Sequence, residues 1–585
     1  MDDTLKKWAV ESTDDDLLGI FNDWLTGSIT YHDKILMAQK AAYQYYIGNQ
    51  TDVGEVPIYL SDTVENRIFE GVETLVPIAT SAAHQFQVLP SSDNEDSIDK
   101  ADNLRKVLDR KYETLKIQKL LEGVTRNILV RRFGVLKYKW DDVDDNMKVE
   151  EIDPRLILVP KMRMDPHDLP YTMEIQGYDE DDIKKYFPEV DIKDLTKEQK
   201  KVNIGDETDK SNKEYQVFEV WTNDMMAWIN SGKILKKQVN PYYDFTGVEI
   251  EKKNKKGKKK KETKFYNHLD KPEKPFIFFG AFNLSDGPLP DTSLVEVVMP
   301  IQDAINAQKR SIINNLKQMG NGQVYVDSDA MTQEEADNMS NEPGLVLRGK
   351  NLASDNKIRR EPGTQLPSAH FANLQHSETV FDNIFGLHGA TKGKADAKTL
   401  GQDILSRQQD YSRIDMITRT LNRGVDRLAN GLVQLMKMFY EDKHLIKIVG
   451  EENATEFIKF NRDNIEDHVE IVVKSGHNLP MDEVSLRTEA VQMWQVGALA
   501  PITLFKRLKF PDPEKEVAAL LAWKQGQLDM ETAAELKKAE AGVAPGAGAK
   551  VETPETAGGG KGTEGMLDVL TRAREQLGGK STKPK

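Results

Sequence analysis

The feature that most constrains the fold is a long run of helical periodicity in residues 400–441. Apolar side chains recur there at intervals of three and four residues, at Ile414, Ile417, Leu421, Val425, Leu428, Leu432, Leu435 and Phe439. This spacing predicts a single helix with an apolar stripe along one face. At 1.5 Å per residue such a helix is about 60 Å long, which is enough to span a whole domain.

Two glycines lie within this helix but away from its apolar stripe. Gly424 and Gly431 each weaken the helix by about 1 kcal/mol relative to alanine. A glycine has no Cβ atom, however, so another part of the chain can come close to the helix backbone at that point. The two positions therefore permit the close approach of a neighbouring element.

A pair of helices is predicted before the long one. In residues 294–319 the opposite face is rich in Gln and Asn rather than in charge, and Pro300 either starts the main helix or kinks a longer one. The apolar stripe consists of Leu294, Val297, Val298, Ile301, Ile305, Ile312, Leu316 and Met319. The second helix covers residues 366–386. Between the two helices, residues 320–363 predict two short strands around an acidic helical insert.

Residues 134–282 consist of short β-rich runs such as "QVFEVW" and "KILKKQV". Inside this region residues 252–264 read "KKNKKGKKKKETK", with a local charge of +8, between two strand-like flanks. The chain has a formal net charge of -15, so the other residues together carry -23. Proteins that hold DNA through their general surface are usually basic. We therefore interpret the Lys-rich stretch as the solvated tip of a hairpin, not as the main DNA site.

The remaining segments complete an α+β pattern. The runs "HLIKIV" and "HVEIVVKSG" predict strands after the long helix. Residues 483–540 predict short helices broken by "ALAPITLF" and "FPDPEKE". Residues 541–585 are poor in large apolar side chains, a composition typical of disorder.

Composition bears on assembly and on location. A chain of 585 residues is long enough for several domains. A hydrophobic content of only 38% with 30% charged residues favours elongated elements or burial against copies of the same chain. There is no cysteine, and the sequence has neither a signal-peptide pattern nor an apolar run long enough to span a membrane. We expect a soluble, intracellular protein that does not enter a membrane.

No motif predicts catalysis, a cofactor or a metal site. The run "GATKGKA" at 389–395 has three residues between its glycines where a phosphate-binding loop has four, and Ala395 replaces the Ser or Thr that would hold Mg²⁺. The acidic run 141–146 has Met147 where a calcium loop needs glycine, so we interpret it as a solvated turn. The ten histidines are scattered. We therefore expect no enzyme activity, no cofactor and no bound metal.

The order of elements resembles the portal, or head-tail connector, proteins of tailed bacteriophages. The resemblance covers most of residues 60–540 and depends on pattern more than on any invariant motif. Four stretches carry it: "ENRIFEGVETLVPIATSA", "VTRNILVRRFGVLKYKWDD" with "EIDPRLILVP", "SLVEVVMPIQDAINAQKRSI", and "LHGATKGKADAKTLGQDILSRQQDYSRIDMITRTLNRGVDRL". Portal proteins form twelve-fold rings around an axial channel through which a packaging motor drives double-stranded DNA.

The resemblance implies a division into wing, stem, clip and crown. The implied parts are N-terminal helices and a β-rich wing in 1–293, a first stem helix in 294–319, a clip in 320–363, a second stem helix in 364–386, a channel loop in 387–399, a long wing helix with wing strands in 400–482, a helical crown in 483–540 and a tail in 541–585. The Lys-rich hairpin has no counterpart that we can assign.

The resemblance also implies partners and sites. The subunit is expected to form a ring of twelve copies at the capsid vertex, after assembly in the host cytoplasm, and to contact the terminase motor, capsid and tail adaptor proteins. Lys392, Lys394 and Lys398 in the channel loop, against Asp396, give +2 per copy for contact with DNA. Subunit contacts along the first stem helix are expected to involve Ile301, Ile305, Ile312 and Leu316.

Two other functions remain open at this level. The first is a structural adaptor or scaffold protein of a phage particle, which would use the long helices for protein contacts and have no DNA channel. The second is a nucleic-acid enzyme with the Lys-rich stretch as a clamp, although the sequence offers it no catalytic residues. A ring with a channel wide enough for DNA excludes the adaptor.

Overall fold

The computed structural model describes most of the chain, which divides into two compact units, 1–476 and 477–585. The described residues are 8–50, 60–81, 84–142, 144–195, 215–230, 232–253, 259–283, 287–320, 324–329, 332–337, 358–360, 365–386, 400–441, 444–449, 455–466, 469–475, 487, 490–495, 497, 499–508, 510 and 513–540. Helices and strands alternate through the first unit, so the α+β class is confirmed.

The helices of the first unit include three long ones. Their bounds are α1 Asp14–Ile47, α2 Arg67–Thr80, α3 Glu95–Thr114, α4 Ile117–Arg131, α5 Glu180–Tyr186, α6 Leu294–Gly320, α7 Gln333–Asp337, α8 Ser368–Phe385 and α9 Leu400–Phe439. The three helices expected at 294–319, 366–386 and 400–441 are thus confirmed as α6, α8 and α9. Pro300 lies inside α6 rather than at its start.

The strands form several small antiparallel sheets. Their bounds are β1 His84–Leu89, β2 Phe133–Asp141, β3 Asn146–Ile152, β4 Ile157–Leu158, β5 Thr172–Tyr178, β6 Tyr215–Trp221, β7 Met225–Asn230, β8 Lys233–Val239, β9 Val248–Lys253, β10 Lys259–Lys264, β11 Phe276–Gly280, β12 Val324–Val326, β13 Ile358–Arg360, β14 His444–Val449, β15 Thr455–Phe460 and β16 Glu470–Ser475. The largest sheet has the order β4-β5-β6-β7-β8, and a three-stranded sheet has the order β11-β2-β3. The β-rich region is confirmed.

Helix α9 packs along its apolar stripe against the main core. The stripe positions from Ile414 to Leu435 are all buried, and Phe439 stacks on Trp140 of β2 with ring centroids 4.8 Å apart. The helix contacts α2, β2, β11 and β16. The helical periodicity of the sequence thus correctly predicted both the helix and the face that it buries.

The two glycines of α9 are the points where strands come closest to it. A Cβ atom at Gly424 would overlap the ring of Phe279 in β11, and one at Gly431 would lie 2.7 Å from the ring of Tyr138 in β2. Phe279 is completely buried and Tyr138 nearly so. The close approach that the glycines permit is therefore confirmed.

A buried ion cluster joins the two larger sheets. Lys137 of β2 donates to Glu174 of β5 at 2.6 Å and to Glu219 of β6 at 2.7 Å. Glu219 also accepts hydrogen bonds from Trp221 and Gln176, both at 2.6 Å. Burial alone would lower the pKa of Lys137, but the two carboxylates raise it above its ordinary value. The lysine therefore stays charged, and its two ion pairs connect the three-stranded sheet to the five-stranded sheet.

The expected outline of the Lys-rich hairpin needs one correction. Strands β9 and β10 pair antiparallel in a sheet of their own, with Lys253 opposite Lys259 and Lys252 opposite Lys260. The stretch 252–264 was expected to be a loop, but most of it is strand. Only 254–258, at the turn, lies outside the described residues. Backbone pairing extends into the Lys run because strand hydrogen bonds do not depend on side-chain charge.

One strand of the first unit was also not expected. The N-terminal part of 1–293 was expected to consist of helices before the β-rich region, yet it contains β1, which pairs with β16 nearly 400 residues later. The acidic run 141–146 forms the turn between β2 and β3, as expected, with Asp145 in the left-handed region at φ 45°.

The described part of the second unit is helical. The stretch "ALAPITLF" was predicted to break a helix, but Pro501–Arg507 is helical with proline at its first turn. A proline is compatible with that position because its missing N–H has no partner there. Pro513–Glu540 then forms one helix of 28 residues, longer than the short helices expected. Residues 541–585 lie outside the described residues.

The packing of Gly424 leads to a direct test of the α9 contact. We expect Gly424→Ala to lower the free energy of unfolding by about 1–3 kcal/mol, the usual cost of overpacking a core, because the new Cβ would overlap the completely buried ring of Phe279. The matched control is Gly27→Ala in α1, where no atom lies within 4 Å of the new Cβ. This change should raise stability by up to about 1 kcal/mol. Urea unfolding measures both, and a Gly424→Ala variant as stable as the wild type would contradict the packing.

Candidate functional site

The first half of α6 is held inside the subunit. Val295, Val298 and Ile305 are completely buried in the main core. At the start of the helix, Arg132 donates two hydrogen bonds of 2.7 Å to the carboxylate of Glu296. Such a paired geometry fixes the orientation of both side chains. The helix therefore begins from a rigid base.

A hydrogen bond between α1 and α6 lies one turn beyond Pro300. The Tyr45 hydroxyl donates to the carboxylate of Asp303 at 2.8 Å and 2.9 Å. Burial and this carboxylate together raise the pKa of Tyr45 to about 12, so the hydroxyl keeps its proton at physiological pH. The contact adds α1 to the elements that fix the direction of α6.

The polar face of α6 binds an extended segment of the same subunit, residues 60–66. Gln302 donates to the backbone oxygen of Glu65 at 2.6 Å and to Asn306 at 3.1 Å. Asn306 accepts from the Glu65 backbone at 3.1 Å and donates to Gln50 at 2.8 Å. Both α6 side chains are completely buried. The amides thus satisfy backbone groups that would otherwise lack partners.

The sequence signalled this polar face but not its partner. The sequence predicts a Gln- and Asn-rich face opposite the apolar stripe of this helix. The structure assigns much of it to contacts within the subunit, since Asn314 accepts from the backbone of Ser61 at 2.6 Å and Lys317 donates to Leu60 at 3.1 Å. Periodicity identifies a face, but it does not say which distant segment covers that face.

Helices α6 and α8 lie side by side, joined by a cluster of charged groups. Arg67, at the start of α2, is 3.0 Å from Asp382 of α8. Lys309 of α6 pairs with Glu65 and lies 3.6 Å from Glu378 of α8. These side chains are partly exposed, so each pair stabilises the fold only modestly. Because several such pairs converge at this point, together they help to hold α8 beside α6.

The four α6 residues predicted to make subunit contacts differ in exposure. Ile305 is completely buried within its own subunit, and Ile301 packs against the same core. Ile312 is half-buried. Leu316 is 56% exposed. Among these four, only the residues near the end of the helix have apolar surface to offer a partner.

The three lysines expected to contact DNA, Lys392, Lys394 and Lys398, lie outside the described residues. The structure does describe the helices before and after the segment that contains these lysines. Helix α8 is capped by Gly386, which adopts a left-handed conformation at φ 75° and donates its N–H to the Asp382 backbone. Helix α9 begins at Leu400. The segment 387–399 thus connects two helices whose positions are defined.

The insert between α6 and α8 is partly as expected. Strand β12 and the acidic helix α7 are confirmed, and β12 pairs with β13 through Val324 and Arg360. The second strand was expected after the acidic helix, and β13 is the strand described there, whereas residues 338–357 lie outside the described residues. The pairing brings the two ends of the insert together next to the two helices.

Neither a metal site nor a membrane-spanning helix occurs among the described residues. No group of His, Cys, Asp or Glu side chains there has a geometry suited to holding a metal ion. None of the helices there is both long enough and apolar enough to pass through a bilayer.

Comparison with known families agrees with this arrangement. A family model for phage P22-like portal proteins matches residues 22–549, and the chain belongs to this family. Members of this family are structural components of the virion that serve genome packaging. A comparison with curated proteins gave no match. The family is structural rather than enzymatic, and it implies an oligomeric ring associated with capsid, terminase and tail at the vertex.

Proposed function

We propose that this protein forms a ring of twelve subunits at the capsid vertex, a conduit for double-stranded DNA during packaging and ejection. The ring is also the attachment point for the terminase motor and for tail adaptor proteins. The proposal is based on the family match over residues 22–549 and on the order of the elements, which is α6, the insert, α8 and then α9. In this proposal α6 and α8 are the stem, the insert is the clip, and the β-rich region with α9 is the wing.

The stem supplies the contacts between subunits. Its base is fixed within the subunit by buried groups such as Ile305, whereas apolar side chains are exposed next to the insert. Leu316 is 56% exposed at the end of α6, and Phe371 is 51% exposed in the first turn of α8. Exposed large apolar groups of this kind mark protein contact sites when they cluster. The neighbouring subunit in the ring covers them.

The net charge of the subunit suits a channel through which DNA slides. A wall that carries excess negative charge repels phosphate, and screening limits the reach of that repulsion to about 8 Å at physiological salt. The formal charge of -15 per chain agrees with such a wall. The loop 387–399 is the exception, because its three lysines collect +2 per copy at one constriction. A lysine can pass from one phosphate to the next because it lacks the bidentate geometry of arginine.

Substitution at the stem tests the subunit contact. We expect the double variant Leu316→Glu, Phe371→Glu to lose ring assembly, because it buries two charges in the contact, while the subunit keeps its thermal stability. The matched control is Met37→Glu with Ile98→Glu, two side chains exposed elsewhere, which should assemble normally. Ile305→Ala should instead destabilise the subunit itself by about 2–5 kcal/mol. Rings of normal mass from the stem variant would refute this contact.

Charge reversal in the loop tests the conduit. The variant Lys392→Glu, Lys394→Glu, Lys398→Glu takes the loop from +2 to -4 per copy. We expect rings to form normally in electron micrographs, while nuclease protection shows that packaging or retention of DNA fails. A control with Lys34, Lys119 and Lys161 changed to Glu carries the same charge difference on exposed positions elsewhere. Packaging by the loop variant at the level of this control would remove the loop from the mechanism.

A further inference from the structure

The loop between β4 and β5 exposes two methionines. Met162 is 42% exposed and Met164 is 45% exposed, and the exposed side chains of Lys161 and Arg163 alternate with them in the sequence. We call residues 161–164 the methionine loop. The Met164 N–H donates to the Met162 backbone oxygen at 2.9 Å, so the two lie on one tight turn. Methionine adapts its shape to a partner and is common at protein-binding surfaces. Two of them on one exposed turn therefore indicate a contact surface.

The buried side chain of Lys274 fixes the chain just after the methionine loop. Its ammonium group donates to the backbone oxygens of Leu169 at 2.6 Å and His167 at 3.1 Å, and to the Asn223 side chain at 2.9 Å. These three acceptors are uncharged, and burial lowers the pKa of Lys274 to about 8. The ammonium group thus connects the loop to the turn that contains Asn223, between β6 and β7.

His167 fixes the same stretch to β11. The Phe278 backbone N–H donates to Nε2 of His167 at 3.0 Å, so Nδ1 carries the ring proton and donates to the Asp165 carboxylate at 2.6 Å. Asp165 also accepts from the His167 backbone N–H at 2.9 Å. A loop that is ordered before binding loses less conformational entropy when a partner binds. The methionine loop is therefore preorganised for a contact.

A pocket of about 480 Å³ lies at the other end of β5, beside α5 and the turn that follows it. We call it the α5 pocket. Pro188, Val190 and Ile192 give it an apolar wall, and two acidic and two basic side chains complete the lining. Val190 and Ile192 also pack against a buried apolar cluster that includes Phe187. The wall of the pocket is therefore supported by packed core, and its volume lies in the range of sites that bind small groups.

The charges of the two surfaces are complementary. The methionine loop carries +2, from Lys161 and Arg163. Residues 179–194, which include α5 and the turn that follows it, contain seven acidic and three basic residues, a formal net charge of -4. Opposite charges at the edge of a contact set its orientation and speed its formation more than they add affinity. Reversal of Lys161 alone should therefore slow the contact rather than prevent it.

The two surfaces lie at opposite ends of the five-stranded sheet. The methionine loop precedes β5 and the α5 pocket follows it, so the length of the strand, about 20 Å, lies between them. Contacts with neighbouring strands agree with this placement. Asn223 beside the loop is in the turn between β6 and β7, whereas Asp194 near the pocket pairs with Lys233 at the start of β8, at 2.8 Å. The methionine loop therefore cannot enter the α5 pocket of its own subunit.

We propose that the methionine loop of one subunit binds in the α5 pocket of the next copy of this chain. Met162 and Met164 then cover the apolar wall formed by Val190 and Ile192. The partner is another copy because one chain carries both complementary surfaces, and surfaces at opposite ends give a head-to-tail contact that can repeat and close into a ring. The inference rests on the proposed ring, to which it adds a contact between wings that is separate from the stem contact.

Disulfide cross-linking tests this contact directly, because the chain has no cysteine of its own. The variant is the full chain with Met164→Cys and Val190→Cys. A disulfide forms only when the two Cα atoms are within about 7 Å, so oxidation should link each subunit to the next. We expect a ladder of covalent oligomers on non-reducing denaturing gels, which a reductant returns to single chains. The matched control combines Met37→Cys, at a residue 75% exposed in α1, with Val190→Cys and should give no ladder.

A second variant measures how much the methionines contribute to assembly. Met162→Ser with Met164→Ser removes apolar groups from exposed positions, so the subunit should keep its thermal stability. We expect at least about a ten-fold rise in the protein concentration needed for half-assembly, since two apolar side chains are no longer buried in each contact. Met37→Ser with Ile98→Ser, at two other exposed positions, should leave that concentration unchanged.

Three outcomes would overturn the proposal. The first is closed rings in electron micrographs of the double-cysteine variant with no ladder after oxidation, which would leave the ring intact and remove this contact from it. The second is a covalent dimer from Met164→Cys alone, since that would place two loops against each other. The third is half-assembly of the serine variant at the wild-type concentration. A wild-type chain that stays monomeric under every condition would instead refute the ring itself, and this contact with it.

Discussion

The fold depends on how closely α9 approaches the strands beneath it. At Gly424 and Gly431 no Cβ atom separates the helix backbone from the rings of Phe279 and Tyr138, so β11 and β2 lie directly against the helix. The same helix contacts α2 and β16 along its length, and Gln434 fixes the base of the Lys-rich hairpin. One densely packed helix thus sets the positions of elements that are far apart in the sequence. A core packed this tightly resists small changes of volume.

The sequence predicted what depends on local periodicity. It predicted helices α6, α8 and α9, the face that α9 buries and most strands of the β-rich region, because each of these has a repeat within one segment. It missed β1, since His84 opposite Ser475 is a pairing across almost the whole unit. It also could not identify the segment that covers Gln302 and Asn306 of α6. Pairing partners distant in sequence leave no periodic signal, and polar side chains do not reveal whether they face solvent, a partner or the same chain.

The two ends of helix α6 have different environments, which the sequence did not distinguish. Its first half is anchored by Val298, Ile305 and the buried amides, and its end carries exposed Leu316. A rigid base with an apolar end suits an element that must present one surface to neighbours in the same orientation in every subunit. The two Lys-rich segments are likewise distinct. One connects α8 to α9, whereas the other is a paired ribbon on a fixed base. Charge counting alone treats them as equivalent.

The central claim is that copies of this chain close into a ring around a channel for duplex DNA. The most direct test is the mass of the purified full chain in solution, combined with electron micrographs of the same sample. The account predicts one closed oligomer of twelve subunits with an open axial channel. A stable monomer at micromolar concentration under every salt condition would contradict it.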